Sequence, residues 1–238
     1  MVMIKSFPHL SHVQGWLGLP ALRFTDYFVS RFVGDAFDSL EIGVHHGLYF
    51  IALENLTPPS CRSIAADIFS CQELNIDRSG LGDKEVFLSN IEKWAAWPER
   101  VEILELDSMN LVPSDLGIQK FGIISIDGGH TKQHTINDLA VAQELITSNG
   151  LIILDDIMNQ DWCGVVTGAL DFFNSSLARK IVPIAIGSNK LFITHFSAAE
   201  RRVKEIVDDR ETLAQHYGLI PTKQTIFGNY SILSIHGT

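Results

Sequence analysis

The chain has 238 residues, 46% of them apolar and 19% charged, with a formal net charge of −10. That composition excludes a disordered chain, and the acidic balance argues against nucleic acid or an anionic membrane surface as a partner. The three cysteines, Cys61, Cys71 and Cys163, form no CxxC pair and point to a reducing, cytoplasmic setting rather than a disulfide framework or a zinc site.

No signal peptide or membrane span is expected. Polar residues and Pro20 interrupt residues 1–22, and Asp155 and Asp156 end the apolar run that begins at Leu151.

In chain order, strands are expected at 39–44, 62–66, 101–106, 121–126 and 150–154, from short β-rich apolar runs. Helices are expected at 47–55, 83–97, 131–147 and 162–175, with Pro98 and Gly150 as stop signals. Residues 68–83 read as a polar loop. Strands at 181–186 and 191–195 flank Gly187-Ser188-Asn189-Lys190, which predicts an antiparallel hairpin. A charged helix follows at 197–217 with Ser197 as its N-cap, and residues 224–235 hold a further strand candidate.

Alternating strands and helices predict an α/β fold with a parallel sheet covered on both faces. No repeat or linker divides the chain. We expect one domain: a core over about 36–196, an N-terminal helical segment 1–35, and a C-terminal helix and tail over 197–238. In such sheets ligands bind beyond the carboxyl ends of the strands.

The first strand ends in Glu41-Ile42-Gly43-Val44-His45-His46-Gly47. Its glycines allow a tight turn and close approach of a ligand, but the spacing is not GxGxxG, and an ordinary strand-to-helix turn reads the same way. Asp67 ends the second strand, where a carboxylate can accept from both ribose hydroxyls or cap the next turn. Asp107 and Ser108 end the third, placed to meet a ligand or to cap.

The fourth strand ends in Asp127-Gly128-Gly129-His130 and the fifth in Asp155-Asp156. If these strands are neighbours, three carboxylates converge. Two like charges about 4 Å apart repel by roughly 4 kcal/mol at an effective dielectric of 20. The cluster therefore needs a proton, a base or a cation. Nearby segments offer little base besides Lys132, so a hard divalent ion, Mg²⁺ first, is expected on Asp127, Asp155 and Asp156. His130, on the turn beyond, is the candidate general base.

These motifs resemble the class I S-adenosylmethionine-dependent methyltransferases, and within them the metal-dependent O-methyltransferases of small molecules and sugars, whose fourth and fifth strands end in DGGH and LDD. The resemblance runs from about residue 39 to 195. It implies a Rossmann-like, doubly wound sheet of seven strands in the order 3-2-1-4-5-7-6, the seventh antiparallel. It implies that Glu41, Gly43 and Gly47 line the methionine part of S-adenosylmethionine. Asp67 would hold the ribose, Asp107 and Ser108 would flank the adenine, and Asp127 would meet both cofactor and metal. His130 would deprotonate a hydroxyl of a small polar acceptor, a sugar among the candidates, which then attacks the sulfonium methyl.

His45 and His46 depart from the family turn. They are open between cofactor contact, substrate wall and solvated turn. Loop 70–83 is expected to close over the cofactor, and Trp94, Trp97 and Trp162 to pack in core or lid. A homodimer is an open assembly state. The competing readings are an NAD- or nucleotide-sugar-binding Rossmann oxidoreductase, which leaves the aspartates unexplained, and an inactive methyltransferase-like binding module.

Overall fold

The computed structural model describes residues 7–117 and 121–238, apart from the side chain of Lys223. Among the described residues nine strands form one sheet: β1 (Asp38–Ile42), β2 (Ser63–Asp67), β3 (Val101–Glu105), β4 (Phe121–Ile126), β5 (Ile146–Leu154), β6 (Ile181–Gly187), β7 (Lys190–His195), β8 (Leu219–Phe227) and β9 (Tyr230–Gly237). Their order is β3-β2-β1-β4-β5-β7-β6-β9-β8. The first seven positions follow the expected order. β1 to β5 pair in parallel, and β7 runs antiparallel to both β5 and β6.

Seven strands were expected, and the C-terminal hairpin corrects that number. β9 joins β6 in parallel and β8 closes on β9. An unpaired β6 edge would expose its backbone donors and acceptors, and the tail covers it.

Helices α1 (Leu19–Phe28), α2 (Leu48–Leu56), α3 (Lys84–Trp94), α4 (Lys132–Leu145), α5 (Cys163–Phe173) and α6 (Phe196–Asp208) pack on the sheet. Alternation along the strands divides the core. Leu40, Ile42, Ile124, Ile152 and Leu154 face α4 and α5 through Leu139, Val165 and Phe172. Ile123, Leu151, Ile153 and Phe192 face the opposite layer, where Phe24 and Phe28 of α1 meet Ile206 of α6. Fully burying each such side chain contributes about 1.5–3 kcal/mol.

Local signals explain most boundaries. Asp83 caps α3 by accepting from Val86 N, and Thr131 caps α4 by accepting from His134 N. Pro20 lies in the first turn of α1, where its missing N–H costs nothing. Ser188 and Asn189 both have positive φ, as a two-residue hairpin turn of this twist requires. Ser197 is not the cap of α6. His195 is, its ring Nδ1 accepting from Ser197 N. No described helix is long and apolar enough to cross a membrane.

Candidate active site

A cavity of about 640 Å³ opens at the carboxyl ends of β1, β2, β4 and β5. Its walls include Glu41, Gly43, Asp67, Asp107, Ser108 and Asp127, together with His130, Asp155 and Asp156. Gly47 lies outside the wall. It takes the left-handed conformation (φ +89°) that turns the chain into α2. Gly15–Gly18 cross one side of the mouth, and none of the lining residues comes from β8 or β9.

Gly43 is the tightest position in the turn. Its φ is +81°, and a Cβ there would lie 2.0 Å from the Asp127 carbonyl oxygen. Asp67 fastens the same turn. Its Oδ2 accepts from Val44 N at 2.7 Å and His45 N at 3.0 Å, and its Oδ1 from Phe69 N at 2.7 Å. Oδ1 keeps a lone pair for a further donor.

Glu41 points to the α1–α2 side of the sheet, opposite Ser125 in the β1–β4 register. Its Oε1 accepts from Ser125 Oγ at 2.9 Å, while Oε2 is buried without a hydrogen-bond partner. Burial pushes its carboxyl up to about 8, against the pull of Ser125 and Lys190.

The acidic cluster has a base that the sequence reading missed. Lys190, 2% exposed, pairs through Nζ with Asp155 Oδ2 and lies 4.8 Å from the centre of the Tyr49 ring. Burial works against its charge, but Asp155 and Asp127 outweigh burial and raise its pKa. Asp155 spends its other oxygen on Asp156 N at 2.8 Å. Lys132 plays no part here; it pairs with Asp171.

Asp127, His130 and Asp156 each bring one ligand-capable atom within 4.8 Å of the others. Asp155 is not in that group. Burial, then the neighbouring Asp155 charge, holds the Asp127 carboxyl well above the usual carboxylate range. Asp156 has a φ of +58°, unusual for a non-glycine residue. Its Oδ1 accepts from Asn159 Nδ2 at 2.9 Å and Asn189 Nδ2 at 2.7 Å. Burial opposes its ionisation, but these donors and His130 hold its pKa below the ordinary value.

His130 is clamped on three sides. Nε2 lies 3.0 Å from Asp156 Oδ2, Nδ1 lies 3.0 Å from Asp77 Oδ2, and the ring stacks on Trp162 with centroids 4.4 Å apart. Burial alone would lower its pKa; the bonds and charges of Asp156 and Asp77 outweigh that and raise it.

Asp107 and Ser108 meet the cavity and also build its floor. Asp107 caps a short turn by accepting from Met109 N at 2.9 Å. Ser108 Oγ donates to Asp138 at 3.2 Å. The two histidines of the first turn are not solvated: His46 is buried, and His45 lines the cavity beneath Trp16, at 5.5 Å between ring centroids. Loop 70–83 lies over the mouth, with Leu74–Asp77, Ser79, Gly80 and Gly82 in its wall. Trp94 packs under His12, Trp97 is partly exposed, and Trp162 belongs to the site itself.

Residues 40–157 match the family described as methyltransferase domain. No curated protein matches the chain. Among solved structures the fold is similar to the O-methyltransferase NovP (TM-score 0.56, 16% identity, covering 74% of this chain and 78% of that one). It is also similar to CalS11, a TDP-rhamnose 3′-O-methyltransferase of calicheamicin biosynthesis (0.51, 17%, 73% and 78%). A third similar structure is the MycE methyltransferase of the mycinamycin pathway, in complex with Mg, SAH and mycinamycin VI (0.50, 15%, 76% and 50%).

Proposed function

The chain is a class I S-adenosylmethionine-dependent methyltransferase, and from that premise we propose that it methylates a hydroxyl of a small polar molecule, a sugar or sugar-bearing compound, with help from a divalent cation. The family match speaks against the oxidoreductase reading, and the acidic groups and His130 kept at the cavity speak against the binding module. The observation that carries the finer reading is the meeting of Asp127, His130 and Asp156 at the cavity.

The residues present fit the cofactor. Glu41 Oε2 is an unpartnered buried acceptor beside the turn, suited to the ammonium of the methionine moiety. The Gly43 turn keeps side chains out of the space a methionine backbone needs. Asp67 Oδ1 is the atom left to meet a ribose hydroxyl, and Asp107 and Ser108 would flank the adenine. S-adenosylmethionine supplies a methyl on a positively charged sulfur.

The donor set also fits a cation. Mg²⁺ is commonly held by one or two carboxylates plus waters and substrate oxygens, and Asp127 and Asp156 are the two that converge. Asp155, first expected as a third ligand, would support them from its bond to Lys190 and to Asp156 N. Such a cation supplies charge that lowers the pKa of a nearby hydroxyl.

His130 takes the hydroxyl proton at Nε2, the ring atom on the Asp156 side. The oxygen attacks the methyl carbon in line, the C–S bond breaks, and S-adenosylhomocysteine leaves with the sulfur's electron pair. Trp162 keeps the imidazole in one plane. Holding acceptor and methyl on one axis supplies much of the acceleration.

The similar structures support this reading: NovP is an O-methyltransferase, CalS11 a TDP-rhamnose 3′-O-methyltransferase, and MycE is in complex with Mg, SAH and mycinamycin VI. The test is methyl transfer from labelled S-adenosylmethionine to a panel of nucleotide sugars, glycosides and phenols. Transfer to a hydroxyl, lost on chelation and in His130→Ala, is expected. Transfer to nitrogen or carbon, or full activity after chelation, overturns the finer reading.

A further inference from the structure

The cavity wall is one-sided in charge. Its described residues include Glu41 and six aspartates against one lysine, Lys190, and no arginine. Lys190 is spent on Asp155. Arg78, on the loop between β2 and α3, is exposed and lies outside the wall. His130 faces Asp77 and Asp156, and His134 faces Asp107. Burial lowers the pKa of His45. Among the described lining residues no lysine or arginine is left to pair with a phosphate, the usual way a diphosphate is held.

The rim is apolar instead. Trp16, Ile76 and Leu74 line the cavity while 75%, 67% and 43% exposed. Met158, 71% exposed, stands next in the chain to Asn159 of the wall. These side chains come from three segments: the one before α1, the β2–α3 loop and the turn after β5.

The two most prominent are held where they are. Trp16 lies between two closely seated glycines. A Cβ on Gly15 would lie 2.9 Å from Leu48 Cβ, and one on Gly18 3.1 Å from Ser188 Cβ. The indole rests over His45 with the ring planes tilted by 46°. Ile76 stands between two anchored residues. Asn75 Nδ2 donates to Ser79 O at 2.7 Å, and Asp77 Oδ2 accepts from the His130 backbone N at 2.7 Å. Apolar side chains fixed in water around a cavity mouth mark a binding surface.

We propose that the acceptor is an uncharged glycoside whose sugar enters the cavity and whose apolar aglycone, an aromatic or polycyclic body, rests on Trp16 and Ile76. This deepens the proposed function and rests on it. A nucleotide sugar is the acceptor least suited to this mouth, because its two phosphates would meet carboxylates without a protein cation to pair with. Trp16 and Ile76 are then specificity determinants: they touch the acceptor away from the reacting hydroxyl, and that remote contact helps hold the sugar in place.

The test uses two probes with one sugar, 2-naphthyl rhamnoside and TDP-rhamnose. Each is titrated by calorimetry into protein loaded with S-adenosylhomocysteine and Mg²⁺, so binding is read without methyl transfer. The naphthyl glycoside is expected to bind at least about tenfold more tightly. Equal or tighter binding of TDP-rhamnose overturns the proposal, as does no measurable binding of the naphthyl glycoside.

Trp16→Ala and Ile76→Ser remove exposed side chains, so both variants should melt near the wild-type temperature. Each is expected to weaken the naphthyl glycoside about 3–10-fold. Unchanged affinity in both, or a loss accompanied by a matching fall in melting temperature, overturns the proposal. Methyl transfer to some acceptor with the opposite probe ranking overturns this inference alone. The expected ranking with no transfer to any hydroxyl overturns the proposed chemistry alone.

Discussion

Lys190 stands against Asp155 because β7 runs antiparallel to β5. The register pairs Leu154 with Leu191, and one step further the chain places Asp155 beside Lys190. A parallel β7 would carry Lys190 to the opposite end of the sheet. The reversal of one strand thus delivers a buried cation to the edge where β1, β4 and β5 gather Glu41, Asp127 and Asp155.

Lys190→Met would leave Asp155 and Asp127 buried without their partner. Breaking a buried ion pair from one side costs about 3–5 kcal/mol. Denaturant unfolding should show a loss of that size in the single variant and a smaller loss in Lys190→Met with Asp155→Asn. A double variant less stable than the single one contradicts the pairing.

Glu41→Gln keeps the shape and the contact to Ser125 but removes the carboxylate. A hydrogen bond to a charged group contributes about 1.5–3 kcal/mol, so affinity for S-adenosylhomocysteine should fall roughly tenfold or more with little change in stability. Unchanged affinity by calorimetry would place the methionine ammonium elsewhere.

Asp138 gives a pH dependence with a defined sign. Burial pushes its carboxyl from 3.8 up to about 7, against the bonds from Ser108 and Asn137. The folded state therefore holds this proton more tightly than the unfolded chain. The resulting stabilisation is full below about pH 4 and is lost as pH rises through about 7. Asp138→Asn, which stays neutral, should flatten that decline in melts taken across this window. An unchanged slope means that Asp138 is ionised in the fold.

The proposed cation ligands are expected to separate by mutation. Asp127→Asn and Asp156→Asn should each weaken Mg²⁺ binding by about 10–100-fold or more, whereas Asp155→Asn should change it only a few-fold. Titration of each variant followed by calorimetry checks the ranking. A loss in Asp155→Asn as large as the others would restore Asp155 as a ligand.

The strand ends were legible in the sequence because each motif is local. Apolar runs such as Ile123–Ile126 announce buried strands, and whatever follows them falls at the carboxyl edge. The residues that complete the site were not legible in this way. Lys190 reads in the sequence as the end of a turn but is the first residue of β7, and its value depends on which strand β7 joins and in which direction. Asp77 sits in an aperiodic loop whose path is set by hydrogen bonds between Asn75, Ser79 and Asp77. The tail offers a single strand candidate, 224–235, where the fold has the two strands β8 and β9, because β8 contains Pro221 and mixes polar with apolar residues. Gly228-Asn229 between Phe227 and Tyr230 was the available hairpin signal, and Gly228 has positive φ.

Isothermal titration with S-adenosylhomocysteine, with and without Mg²⁺, on wild type and Asp156→Ala tests the cation-assisted methyltransferase most directly. The expected result is S-adenosylhomocysteine binding in both proteins and a Mg²⁺ site in the wild type alone. Absence of S-adenosylhomocysteine binding under every condition, or equal Mg²⁺ binding by the two proteins, would contradict it.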